Sequence, residues 1–158
     1  MVNGGYDVAQ ICLNGHVINA SGLKYPDFNK NYYNICGVKT IMTCLNCNSS
    51  IQGFYHNSFQ LEYFPPSFCH HCGQPYPWTM AKMDAAKEIA SEIENISDEE
   101  KEILIKSLNY IVFDTPKTEV ASFKMKKILH KAGGTAKKLF SEIVIKIASE
   151  AAKGYLGF

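Results

Sequence analysis

Two Cys-x-x-Cys pairs, Cys44-Leu45-Asn46-Cys47 and Cys69-His70-His71-Cys72, stand 21 residues apart. This spacing constrains the chain more than any other feature. Two such pairs supply the four thiolates of a tetrahedral zinc site. Gly73 after the second pair suits a tight turn with positive φ. A redox Cys-x-x-Cys stands alone ahead of a helix, whereas these pairs lie in sequence of loop-and-strand character. The spacing therefore predicts a structural zinc ribbon on Cys44, Cys47, Cys69 and Cys72. With four thiols available, His70 and His71 are expected to face solvent or support the site from outside.

Half of a further motif lies upstream. Cys36-Gly37 echoes Cys72-Gly73, but the position that would complete a Cys-x-x-Cys is Tyr33. Earlier still, Cys12-Leu13-Asn14-Gly15-His16 forms a Cys-x3-His. Cys12, His16 and Cys36 read as three ligands of a second ribbon placed before the first, with its fourth ligand replaced by Tyr33. Three outcomes stay open at this second, incomplete site. Tyr33 packs into an empty site, a residue such as Asp27 or His56 closes it, or water does. One zinc ion is expected, two if this site fills. Three protein ligands plus water is also the pattern of catalytic zinc, but nothing marks Asp7, Asp27 or Glu62 as a general base. An enzyme ranks third among the functional readings, and no catalytic residue is assigned.

The two halves differ in composition. Residues 1–78 hold all six cysteines and 13 of the 19 aromatics but only six charges, the texture of short strands and turns. Those aromatics are expected mainly to fill a core too small to close otherwise. Residues 79–158 carry 25 Lys, Asp or Glu and apolar residues at helical spacing. The expected fold is α+β: a small metal-stabilised β tandem zinc-ribbon domain over 1–78, and a helical domain of about four helices over 79–158.

The first helix is expected from about Met80 to Asn95, capped by Thr79. The second is capped by Ser97 with Glu100 as its capping-box partner. The third starts at Pro116, carries Val120, Phe123, Ile128 and Leu129 inward, and ends at Gly133-Gly134. The fourth is expected from about Thr135 to Lys153. Its apolar residues spread over more than one face, leaving Leu139, Ile145 and the Ala152 side wet or covered by a second copy. The C-terminal helices are therefore expected to support a homo-oligomer.

All 16 basic residues are lysine. Without arginine, bidentate readout of guanine is missing. Lysines 117, 124, 126, 127, 131, 137 and 138 still form a cluster, and 84–102 is correspondingly acidic. No basic n-region or apolar h-region opens the chain and no stretch reads as a bilayer span, so a cytoplasmic protein with metal-bound rather than disulfide-bonded cysteines is expected.

The strings YDVAQICLNGH, CGVKTI, CLNC with IQGFYH, and FCHHCGQPYPWT resemble a bacterial double zinc-ribbon family catalogued as a domain of unknown function. The resemblance extends into helical strings such as DTPKTEVA and IASEAAK. It implies metal roles for Cys12, His16, Cys36 and the four later cysteines. This chain departs from the family pattern at Tyr33, where a cysteine is implied. No activity follows from the resemblance. The favoured function is a non-catalytic zinc-ribbon adaptor or protein-interaction module; the alternative is nucleic-acid binding through the lysine cluster.

Overall fold

A computed structural model describes residues 5–56, 59 and 61–157. The chain divides into two compact units, one ending at Ala81 and the other starting at Lys82. Five short strands and a 3-10 turn (Pro26–Phe28) precede five helices, an α+β composition.

In the first unit β1 (Tyr6–Val8) pairs antiparallel with β5 (Gln52–Tyr55). β2 (Gln10–Cys12) is the centre of a three-stranded antiparallel sheet, between β3 (Val17–Asn19) and β4 (Thr40–Ile41). Ile11 pairs with Val17 on one side and with Ile41 on the other. Between β1 and β2, Ala9 donates its N–H to the Ile51 carbonyl at 2.8 Å. The buried core is small: Ala9, Ile11, Ile51, Tyr76 and Trp78 pack with Cys44 and Cys69. Tyr76 and Trp78 stack with centroids 4.7 Å apart, and Trp78 Nε1 donates to the Pro66 carbonyl at 2.9 Å. Many expected core aromatics lie outside it. Tyr25, Phe28, Tyr32, Tyr55, Phe59 and Phe64 are exposed, because two short sheets have no second layer wide enough to cover them.

α1 (Pro77–Ser91) begins two residues before the expected cap. Thr79 is inside the helix, buried, and its hydroxyl donates to the Ser67 carbonyl at 2.8 Å. Pro77 at the first position loses no helical bond, since that N–H would be unpaired anyway. α2 (Asp98–Val112) has the expected capping box: Glu100 N–H donates to Ser97 Oγ and Ser97 N–H to the Glu100 carboxylate. α3 (Thr118–Lys131) starts after Pro116 rather than on it. Thr118 Oγ1 accepts from Thr115 N–H at 2.7 Å and donates to the Tyr110 carbonyl at 2.5 Å, joining the end of α2 to the start of α3. The inward face of α3 is Ala121, Ser122, Met125, Ile128 and Leu129, whereas Val120 and Phe123 are exposed, rotated away from the reading of their spacing.

The single helix expected over 135–153 is two. α4 (Gly134–Ile147) ends where Ala148 turns extended, and Ser149 caps α5 (Glu150–Leu156) through Ala152 N–H at 3.2 Å. Ser149 N–H donates to the Ile111 carbonyl of α2 at 3.0 Å. The break turns Ala152 and Leu156 inward, so the Ala152 side is buried rather than wet; Leu139 and Ile145 stay exposed. α2 packs on α3, and α3 on α5. No helix among the described residues is long and apolar enough to cross a membrane.

Candidate metal centre

Three turns in the first unit share one backbone pattern. At Cys44, the N–H donates to the Ser49 carbonyl (2.8 Å) and the carbonyl accepts from Asn48 N–H (2.9 Å), while Thr43 and Ser50 form an antiparallel bridge. At Cys69, the N–H donates to Gln74 (2.9 Å), the carbonyl accepts from Gly73 N–H (2.9 Å), and Phe68 bridges Pro75. At Tyr33, the N–H donates to Val38 (2.9 Å), the carbonyl accepts from Gly37 N–H (2.7 Å), and Tyr32 bridges Lys39. The fifth residue of each turn is left-handed: Asn48 at φ 60°, Gly73 at 72°, Gly37 at 68°. Asn and Gly tolerate that conformation best. The leading positions are thus Cys44, Cys69 and Tyr33, and the closing positions Cys47, Cys72 and Cys36.

The first two turns face each other. Cys44 Sγ lies 3.7 Å from Cys72 Sγ, and Cys47 Sγ lies 3.7 Å from Cys69 Sγ. All four sulfurs fall within 4.8 Å of one another, and none is in a disulfide. Sulfurs about 2.3 Å from a central ion in a tetrahedron sit about 3.8 Å apart. The arrangement fits a tetrahedral four-sulfur site, can hold a metal ion, and is consistent with a zinc ribbon.

The surroundings of the thiols differ. Burial pushes Cys44 up to about 11, despite hydrogen bonds from the backbone N–H groups of Asn46 and Cys47. The Ser49 hydroxyl and backbone N–H draw Cys47 down to about 6; its Sγ is 3.3 Å from Ser49 Oγ. At Cys69 burial opposes ionisation, but the Cys72 and His71 backbone N–H groups help bring the thiol below its ordinary value. Four thiolates this close repel one another, so a central cation is what stabilises the fully ionised set. His70 and His71 are exposed and not among the clustered ligands.

The structure also brings together Cys12, His16 and Cys36, their ligand atoms within 4.8 Å of one another. Cys12 Sγ is 3.9 Å from Cys36 Sγ and 3.3 Å from His16 Nδ1, and it accepts from His16 N–H at 3.3 Å. Gly15 turns the chain between the two ligands at φ 89°. This Cys2His set can also hold a metal ion. Among the described residues neither Asp27 nor His56 joins it. Tyr33 lies beside it instead, its ring 5.0 Å from the His16 imidazole and tilted 37°. Asp7, which nothing in the sequence marks as a general base, is buried with its oxygens accepting from the Val8, Leu23 and Lys24 N–H groups. That role went unseen in sequence because the partners are loop amides, which leave no residue signature.

A family model described as "Uncharacterized protein conserved in bacteria (DUF2321)" matches residues 5–156. Comparison with curated proteins and with solved structures gives no match. The match spans both cysteine clusters and all five helices, and the chain belongs to that family.

Proposed function

We propose that the chain is a non-catalytic adaptor whose first unit is a zinc ribbon held by structural zinc at Cys44, Cys47, Cys69 and Cys72. The observation that carries this reading is the pair of 3.7 Å sulfur contacts within one four-sulfur cluster. Four-thiolate tetrahedral sites suit zinc or iron–sulfur chemistry, and a fully ligated zinc has no open position for a reaction. Zinc thus acts as a cross-link between the 44–47 and 69–72 turns. Ile35 and Leu45, exposed on two of the turns, give this rigid scaffold apolar side chains for a protein partner. Reduced thiols favour the cytoplasm as its place of work. Leu139 and Ile145, exposed on α4, are where the helical unit would meet a second copy.

Metal analysis of the purified full chain tests the zinc assignment. At least one zinc per chain is expected, with one equivalent lost on Cys44→Ser or Cys72→Ser; iron in its place, or no metal in folded protein, contradicts it. The second reading, nucleic-acid binding, draws on one observation. Among the described residues, Lys131 is the member of the 117–138 lysine cluster in a salt bridge, with Glu100; Lys117 lies over the Tyr110 ring and Lys127 also draws the Glu100 carboxyl down, and no salt bridge engages Lys124, Lys126, Lys137 or Lys138. Binding tighter than about 1 μM at physiological salt, beyond the ordinary non-specific range of roughly 10⁻⁴–10⁻⁶ M, and lost when Lys124, Lys126 and Lys127 become Ala together, would favour that reading.

A further inference from the structure

The Tyr33 turn has the backbone of a metal knuckle without its leading thiolate. Its hydrogen bonds, bridge and left-handed Gly37 match those of the Cys44 and Cys69 turns. Its closing residue, Cys36, still delivers a sulfur to Cys12 and His16. A cysteine in the leading place presents its sulfur one atom beyond Cβ. The tyrosine oxygen lies across a ring from Cβ and cannot reach the same point from the same backbone. The ring packs beside His16, and among the described residues no carboxylate or further imidazole joins the cluster. His16 is exposed, so the cluster borders solvent.

We infer that Cys12, His16 and Cys36 hold a second divalent metal ion whose fourth coordination position is open to an exogenous anionic donor, because Tyr33 occupies the leading-thiolate place of its turn. Two thiolates and a neutral imidazole leave a divalent ion with no net charge, whereas the four-thiolate cluster carries a net charge of about −2. An incoming anion therefore meets less repulsion here. The two clusters then have different roles: one a closed cross-link, the other a place where a small anion or a partner's thiolate binds metal directly. This inference does not depend on the adaptor reading.

Cobalt(II) is a spectroscopic stand-in for zinc, and azide is the probe. The full chain is expected to take up two cobalt ions, with azide altering the visible absorption of one of them. Tyr33→Phe should behave the same way, since the phenol oxygen is not a ligand. Tyr33→Cys should bind two ions and ignore azide. It should also hold its second ion more tightly, by more than the ~10–100-fold associated with an outer-shell partner. Cys36→Ser should bind one ion and ignore azide. Uptake of a single ion by the unaltered chain, two ions indifferent to azide, an azide response appearing only after Tyr33→Phe, or a response that survives Cys36→Ser would each overturn the inference.

Discussion

His70 and His71 occupy the two middle positions of the Cys69–Cys72 turn, and both are exposed. Replacing both with alanine should leave the metal content of the chain unchanged; loss of one equivalent would make one of them a ligand. Ser122 is the opposite case, a polar group fully buried in α3 whose Oγ has no hydrogen-bond partner. An unpaired buried hydroxyl is unfavourable, and alanine is the better helix former. Ser122→Ala should stabilise the helical unit by about 1 kcal/mol, read as a rise in the thermal unfolding midpoint by circular dichroism; a fall would mean that the hydroxyl is satisfied. At this scale the gathering of Cys44, Cys47, Cys69 and Cys72 into one cluster was legible, because two Cys-x-x-Cys turns at this spacing can face each other. Tyr33 was legible as a gap in that spacing, but its contact with His16 was not, since ring placement depends on a fold the spacing does not describe.

Among the elements, β5 depends on Gly53. A Cβ there would lie 2.2 Å from the Ala20 carbonyl oxygen and 3.1 Å from Ala9 N. Those are backbone atoms that cannot rotate away, and Phe54 N–H already donates to that Ala20 carbonyl at 2.8 Å. Gly53→Ala should destabilise the first unit by about 3 kcal/mol or more, measured as a lower denaturant midpoint; near-neutral behaviour would show that the strands can separate. Ser149 sets the α4–α5 break. Ser149→Ala should cost about 1 kcal/mol through the lost cap, seen in the same melt as for Ser122. The capping box at Ser97 was readable because both partners are close in sequence. The break at Ser149 was not: IVIKIASEAAK reads as one continuous apolar stripe, and its interruption is fixed by a tertiary bond to the Ile111 carbonyl. Likewise Val120 and Phe123 suggested the inner face of α3, whereas Ala121, Ser122 and Met125 form it. Small and polar residues carry little weight in an apolar pattern, yet close helix packing selects them.

Across the whole molecule, the two units rest on different physics. The helical unit fully buries Leu104, Leu108, Ile111, Met125, Phe140 and Val144. The strand unit has two- and three-stranded sheets and a few large buried side chains. Cores of that size leave little net stability. Structural zinc can add on the order of 10–16 kcal/mol to folding in small modules, comparable to the entire ~5–15 kcal/mol of an ordinary domain. The α+β composition was legible from the shift in residue usage near Trp78. The exposure of so many aromatics was not, because composition says nothing about how much sheet is available to cover them. The most direct test is amide hydrogen exchange on the full chain with and without its metal. If metal holds the strand unit together, chelation should abolish protection in Gln10–Cys12 and Gln52–Tyr55 while leaving α2 and α3 protected. Protection of those strands that is unchanged in verified metal-free protein would contradict the account.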